Sequence, residues 1–223
     1  MSLLIWKLLS SQVRSNFSIL DIGAFHGEFA ILARQVNRSS SIIAFEPNPE
    51  SLEILRLNCQ SDQIMIVEKA ISDEDGEVHF HCDSQISSIT SANFVRSTNS
   101  GDTIKIDAIT LDSWVKAGSE MPCLIKIYVE DAADKVLRGA KFVLREHKPI
   151  LICEILDYRI GKNVMESLRN DYGVFLINEN WGLERKIAVK RYDWRYKNWL
   201  FVPNVDTSSL EFLKSKKVSI KEI

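Results

Sequence analysis

The run Ser18-Ile19-Leu20-Asp21-Ile22-Gly23-Ala24-Phe25-His26-Gly27-Glu28, followed by Ser41-Ile42-Ile43-Ala44-Phe45-Glu46-Pro47-Asn48-Pro49, decides how this chain is read. Ile19, Leu20 and Ile22 form a short apolar run of the kind that makes a strand buried on both faces. Gly23 and Gly27 bracket a tight turn, where a Cβ would obstruct a backbone that bends sharply and approaches a ligand closely. Glu28 to Val36 then carries a helical apolar pattern at Phe29, Ile31, Leu32 and Val36. Glu46 ends the second strand about 20 residues beyond the turn, where an acid can bind the two hydroxyls of a ribose. The strand, turn, helix and acid together predict a nucleoside-type cofactor site.

The spacing narrows the choice of cofactor. A pyrophosphate-binding turn needs Gly-x-Gly-x-x-Gly. Here the pattern is Asp21-x-Gly23-x-x-x-Gly27, with Phe25 where a middle glycine would sit. An acid in the turn repels phosphate and suits a cation, such as the amino group and sulfonium of S-adenosylmethionine. An ordinary strand-turn-helix of some other α/β protein is the competing reading, because a glycine turn alone is a weak signal. Glu46-Pro47-Asn48-Pro49 favours the cofactor: the acid, the helix-starting proline and the distance agree.

The 223 residues, 45% hydrophobic and 26% charged, have the balance of a soluble globular protein, and their length suits one α/β domain. A net charge of −2 gives no global attraction for nucleic acid or an anionic membrane. Cys59, Cys82, Cys123 and Cys153 are scattered without a Cys-x-x-Cys pair, as expected of reduced cysteines in a cytoplasmic protein. The apolar start, Ser2 to Leu9, is interrupted by Lys7, has no basic region before it and is far short of a bilayer span. It is read as a packing or partner-binding helix, so that residues 1–17 form a helical extension and residues 18–223 the domain proper.

Strands alternating with helices predict right-handed crossovers and a parallel sheet. Beyond Ile64–Val67, a turn at Ser72–Glu77 and the alternation Val78-His79-Phe80-His81 predict a hairpin or edge strand. The polar stretch Asp83 to Asp102 reads as a loop that could act as a lid or be a plain surface excursion. Thr110 or Asp112 caps a short helix, Cys123–Val129 is a strand, Ala132–Glu146 one helix, and Pro149–Glu154, Gly173–Ile177 and Trp199–Val202 are further strands. Lys126, in mid-strand among apolar neighbours, needs a partner, and Glu154 at the end of the next strand is the candidate. A structural bridge and a proton-accepting role at the substrate edge both fit Lys126. His79 and His81 have no third ligand nearby, and no metal site is expected. Trp181 to Trp199 mixes aromatics with bases, which suits base stacking, a sugar or phosphate acceptor, or a solvated hairpin.

In this order, Asp21-Ile22-Gly23-Ala24-x-x-Gly27, Ala44-Phe45-Glu46-Pro47-Asn48-Pro49, Ala70-Ile71-Ser72-Asp73-Glu74-Asp75-Gly76, Thr110-Leu111-Asp112-Ser113-Trp114, Leu124-Ile125-Lys126-Ile127 and Val136-Leu137-Arg138-Gly139-Ala140 resemble an FkbM-family methyltransferase, a branch of the class I S-adenosylmethionine-dependent enzymes. The resemblance covers roughly residues 18–156, with Asn198–Pro203 resembling the family's last strand. It implies a Rossmann-like α/β fold, a seven-stranded mostly parallel sheet with helices on both faces and its last strand antiparallel. It also implies methyl transfer to a hydroxyl of a small-molecule acceptor such as a saccharide or glycolipid. Asp21, Gly23, Ala24 and Gly27 would surround the methionine portion, Glu46 would hold the ribose with Pro47 beside it, and Ala70 and Asp73 would lie near the adenine. Lys126, Tyr128 or Glu130 would assist the acceptor. The chain departs from the family at one segment: Asp-Val-Glu-Gly-Ala-Glu has become Tyr128-Val129-Glu130-Asp131-Ala132-Ala133, and Phe25 replaces a small polar residue. A methyltransferase fold that binds without turnover is therefore the alternative. Base methylation of nucleic acid has little support, since no Asn-Pro-Pro-Tyr or Asp-Pro-Pro-Tyr motif is present.

Overall fold

In the computed structural model, residues 1–60, 63–82, 87–88, 102–189 and 197–221 are described. In chain order they form α1 (Ser2–Ser10), β1 (Ser18–Ile22), α2 (Glu28–Val36), β2 (Ser41–Phe45), α3 (Pro49–Cys59), β3 (Met65–Val67), β4 (Ala70–Ile71), β5 (Gly76–Cys82), β6 (Ser87–Ser88), β7 (Asp102–Ile109), α4 (Leu111–Lys116) and β8 (Pro122–Ile127). There follow α5 (Ala133–Arg138), α6 (Lys141–Glu146), β9 (Ile150–Glu154), α7 (Tyr158–Leu168), β10 (Tyr172–Asn178), β11 (Gly182–Lys186), β12 (Asn198–Pro203), α8 (Thr207–Ser215) and β13 (Ser219–Lys221). The main sheet runs β13-β11-β10-β12-β9-β8-β1-β2-β3. A second sheet, β4-β7-β5-β6, grows from the connection between β3 and β8.

The Rossmann-like class agrees with the sequence, but among the described residues the sheet has nine strands rather than seven. β12 is antiparallel to both β9 and β10, as expected of the last strand of the seven. The additional two are β11, which pairs antiparallel with β10, and β13, which pairs parallel with β11 and extends the edge. The sequence shows β13 poorly because Ser219–Lys221 is short and only its middle residue, Ile220, joins the core. The predicted helix Ala132–Glu146 is two helices. Gly139 lies between them because a Cβ there would stand 2.0 Å from the Ser72 carbonyl oxygen, so the β4 turn packs against bare backbone.

Two apolar layers cover the main sheet. Leu20, Ile22, Ile43, Phe45, Ile125, Ile127 and Leu151 face α4–α7, while Ile19, Ile42, Ala44, Leu124, Ile152 and Leu200 face α1, α2, α3 and α8. This is the two-residue alternation of strands buried on both sides. α1 belongs to the second layer: Ile5 and Trp6 are fully buried, and the Trp6 indole N–H donates to the Phe29 carbonyl at 2.8 Å. The helix starts are set by side chains. Thr110 Oγ1 accepts from Ser113 N–H and caps α4, whereas Asp112 accepts from Phe142 and Val143 N–H and so caps α6 from a distance. No helix among the described residues is long and apolar enough to cross a membrane.

Candidate functional site

The strand order reverses direction between β1 and β8: from β1 the chain works outward through β2 to β3, and from β8 it works the other way. Such a switch point opens a crevice at the carboxyl ends of the strands. Its first wall is the turn after β1. The Gly23 and Ala24 amides both donate to Phe45 O at 3.0 Å, so the turn is tied to the end of β2. Gly23 has φ +74°, and a Cβ there would lie 2.0 Å from the Tyr128 carbonyl oxygen. No side chain fits; the glycine lets the turn lie directly against the end of β8.

Asp21 and Lys126 are register partners on β1 and β8, with side chains in the α1–α2 layer. Asp21 is fully buried. Its Oδ2 accepts from Ala30 N–H at 3.0 Å, doing for α2 what the Gly27 N-cap, lacking a side chain, cannot. Its Oδ1 stands 2.8 Å from Lys126 Nζ. The same ammonium donates to the Gly23 carbonyl at 2.6 Å and lies over the rings of Phe29 and Tyr128, at 5.0 and 4.7 Å from their centroids. A buried lysine thus finds a carboxylate, a carbonyl and two aromatic faces, which together offset its desolvation. The expected Lys126–Glu154 bridge is not made. Lys126 lies beside Ile152, Glu154 is two residues further along β9, and Glu154 Oε1 pairs instead with Lys197 at 2.6 Å. The cation that Asp21 meets is therefore supplied by the chain itself.

Glu46 is 5% exposed at the end of β2. Its Oε2 accepts from Phe25 N–H at 2.7 Å and its Oε1 from Asn48 N–H at 2.8 Å, so one carboxylate spans the glycine turn and the start of α3. Burial pushes its pKa up, against the pull of those two N–H groups and of Lys126. Pro47 follows it, and the Asn48 side chain caps α3 with Pro49 at the first turn. Gly27, at φ +90°, lies where a Cβ would meet Leu55 and Cys59 of α3.

Two non-glycine residues with left-handed backbone flank the crevice: Phe25 after β1 and Glu130 after β8, both at φ 51°. Phe25 is about half exposed and stacks on His26 at 3.7 Å. Asp131, where the family has glycine, has φ −80°, a value any residue adopts, so this departure leaves the backbone intact. The strain sits one residue earlier, at Glu130. Tyr128 packs edge-on against Phe29 at 5.1 Å, and burial raises its phenol pKa well above the usual value, so the hydroxyl keeps its proton. Ala70 is buried against Ala108 and Ala132. Asp73 accepts from Arg138 at 2.9 Å and from Ser72 Oγ; burial opposes its ionisation, but Arg138 and its own backbone N–H win and hold the pKa below the usual value. Ala70 and Asp73 therefore lie on the β4 turn, away from the Asp21–Lys126 pair. A cavity of about 310 Å³, lined by Pro47, Pro49 and Leu52 on one side and Ile106 and Asp107 on the other, lies between α3 and β7.

Sequence reasoning passed over Asn198 and Glu179. Asn198 Nδ2 donates to Glu179 Oε1 at 2.9 Å at the carboxyl-end rim of the sheet. Their signal was parity: Asn198 falls on the inward face set by Leu200, and Glu179 on that set by Phe175 and Ile177. The polar stretch read as a lid lies outside the described residues except for Ser87, Ser88 and Asp102. So does 190–196 of the aromatic and basic segment. In the part described, Lys221 lies over Trp181 at 3.8 Å and Lys186 pairs with Glu184 at 2.7 Å.

The glycine turn, the buried acid after the second strand and the crevice at the β1/β8 switch point belong to a Rossmann-like α/β fold of the methyltransferase kind. Residues 21–174 match the methyltransferase FkbM domain, and the chain belongs to that family. The FkbM methyltransferase of Methylobacillus flagellatus KT is similar in structure: TM-score 0.52 at 19% identity, over 86% of this chain and 45% of that one. This chain thus spans less than half the length of that protein. An rRNA methylase of Streptococcus thermophilus gives TM-score 0.50 at 10% identity, over 89% of this chain and 92% of that one. An S-adenosylmethionine-dependent O-methyltransferase of Thermotoga maritima gives 0.49 at 12%, over 87% and 61%. At 19% and 10% identity, the likeness to the first two is one of fold. Comparison with curated proteins gives no significant match.

Proposed function

We propose that the chain binds S-adenosylmethionine in the β1/β8 crevice and methylates a hydroxyl of a small-molecule acceptor. The observation that carries this reading is Glu46: a buried carboxylate at the end of β2, each oxygen holding one backbone N–H and retaining acceptor capacity for a ribose diol. Gly23, Ala24 and Gly27 would admit the methionine portion, Pro47 would lie against the nucleoside, and Ala70 and Asp73 would border the adenine. Asp21 would act through the turn, whose shape it fixes with Lys126. When bound, S-adenosylmethionine supplies an electrophilic methyl group. The chain's contribution is proximity and alignment of the acceptor oxygen. Lys126 braces the turn, its ammonium engaged by Asp21 and Gly23. Tyr128, with its pKa raised by burial, serves as a hydrogen-bond donor, and Glu130 is the carboxylate among the three candidates. Burial pushes the Cys123 pKa up to about 12, so that thiol keeps its proton. Free thiols at Cys59, Cys123 and Cys153 favour a reducing, cytoplasmic setting.

The second reading, a fold kept for binding without turnover, is favoured by the partly buried Tyr128 where the family carries an acid. The test is binding followed by transfer. S-adenosylhomocysteine should bind the wild type and not Gly23→Val, and NAD should bind neither. Turnover gained only in Tyr128→Asp/Asp131→Gly would favour the second reading.

A further inference from the structure

At the carboxyl end of the α1–α2 face, the alternation that buries Leu124, Ile152, Leu200 and Ile177 continues into polar residues: Tyr128 after β8, Glu154 on β9, Asn198 on β12 and Glu179 after β10. Glu154 and Asn198 are register partners, and Ile127 is opposite Cys153, which brings Tyr128 level with Glu154. Four polar side chains thus form a row across an otherwise apolar layer. The Tyr128 carbonyl at one end touches the Gly23 turn.

The row's charges are balanced. Glu154 pairs with Lys197 at 2.6 Å, and Glu179 pairs with the Met1 ammonium at 2.5 Å and accepts from Asn198 Nδ2 at 2.9 Å and from Ser2 N–H at 3.0 Å. Its neutral atoms are not. Among the described residues, Tyr128 Oη and Asn198 Oδ1 are both buried without a hydrogen-bond partner, and Asn198 is only 8% exposed. The Ser2 hydroxyl stands beside Tyr128 without reaching hydrogen-bond geometry. Each unmade bond leaves a desolvation cost unrecovered, and buried polar groups are nearly always satisfied. One of the two atoms carries a proton to give and the other can only receive one. A hydroxyl, which both accepts and donates, completes the pair, whereas a phosphate or an ammonium would find the neighbouring charges already matched.

We infer that Tyr128 Oη and Asn198 Oδ1 form a subsite for a neutral hydroxyl group, and that the acceptor is an uncharged polyol at this end. This rests on the methyltransferase reading for calling the ligand an acceptor. The binding chemistry of the row stands apart from it.

The test uses the full chain with methyl β-D-glucopyranoside as the probe, read by saturation-transfer NMR with and without S-adenosylhomocysteine, and beside glucose 6-phosphate. The wild type should bind the glycoside, and the phosphate no more tightly. Tyr128→Phe removes one hydroxyl from a packed ring and should weaken glycoside binding about tenfold. Its S-adenosylhomocysteine affinity should stay within about twofold and its melting temperature should not fall. Asn198→Leu should abolish glycoside binding. Equal glycoside binding in Tyr128→Phe and wild type, no glycoside binding by a wild type that does bind S-adenosylhomocysteine, or tighter binding of the phosphate would each overturn the subsite. Failure to bind S-adenosylhomocysteine, with glycoside binding still sensitive to Tyr128, would instead sink the methyltransferase reading and leave the subsite standing.

Discussion

On the β1–β2 side of the crevice the polar groups are tied to one another. Asp21 joins α2 to Lys126, Lys126 holds the Gly23 carbonyl, and Glu46 gathers the amides of Phe25 and Asn48. On the β8–β9–β12 side Tyr128 and Asn198 keep buried atoms without hydrogen-bond partners among the described residues. The first wall has its shape fixed before any ligand arrives; on the proposed reading, the second is completed by one. Such a division suits an enzyme that meets one constant cofactor and a separate acceptor, since preorganisation lowers the cost of binding and unsatisfied groups confer selectivity.

The largest effect should come from breaking the tied side at its tightest point. Gly23→Val places a branched side chain at positive φ against the Tyr128 carbonyl. It should cost at least about 4 kcal/mol and abolish S-adenosylhomocysteine binding, measured by urea denaturation and calorimetry. Lys126→Met leaves Asp21 buried and unpaired and should cost about 3 kcal/mol, with Asp21→Asn/Lys126→Met recovering part of it. A Lys126→Met protein as stable as wild type would show that the ion pair is not the brace.

Glu46→Ala strands two backbone N–H groups and should cost about 2 kcal/mol, with S-adenosylhomocysteine affinity falling at least about tenfold. Affinity unchanged in this variant would remove Glu46 from the cofactor site. The smallest effect lies on the β4 turn. The Asp73 pKa is lowered from 3.8, so its pairing with Arg138 contributes stability above that value and loses it as the pH falls through the folded-state pKa. Both partners are partly exposed, at 32% and 39%, so the contribution is under about 1 kcal/mol. Melting curves taken downward from about pH 5 should converge for wild type and Asp73→Asn.

Much of the tied side was legible in the sequence because it is local. A strand, two glycines, an amphipathic helix and an acid before Pro-Asn-Pro are contiguous signals, and Thr110 announces its own helix. What could not be read depends on which strands become neighbours. Lys126 meets Asp21 rather than Glu154 because β1 adjoins β8 in a register that sets the two side by side, more than a hundred residues apart in the chain. Glu46 was visible as an acid at a strand end, but not as the acceptor of the Phe25 amide, which follows from the left-handed turn. β11 and β13 enlarge the sheet through pairings their few apolar residues barely foreshadow. Asn198 looked like the residue before an apolar strand; burial turns it into part of a polar row.

The most direct measurement is calorimetric titration of the full chain with S-adenosylhomocysteine beside NAD. One-to-one binding of S-adenosylhomocysteine alone, lost in Gly23→Val and weakened in Glu46→Ala, is the predicted result. A folded wild type that binds neither ligand, or binds NAD instead, would contradict a methyl-donor site in the β1/β8 crevice.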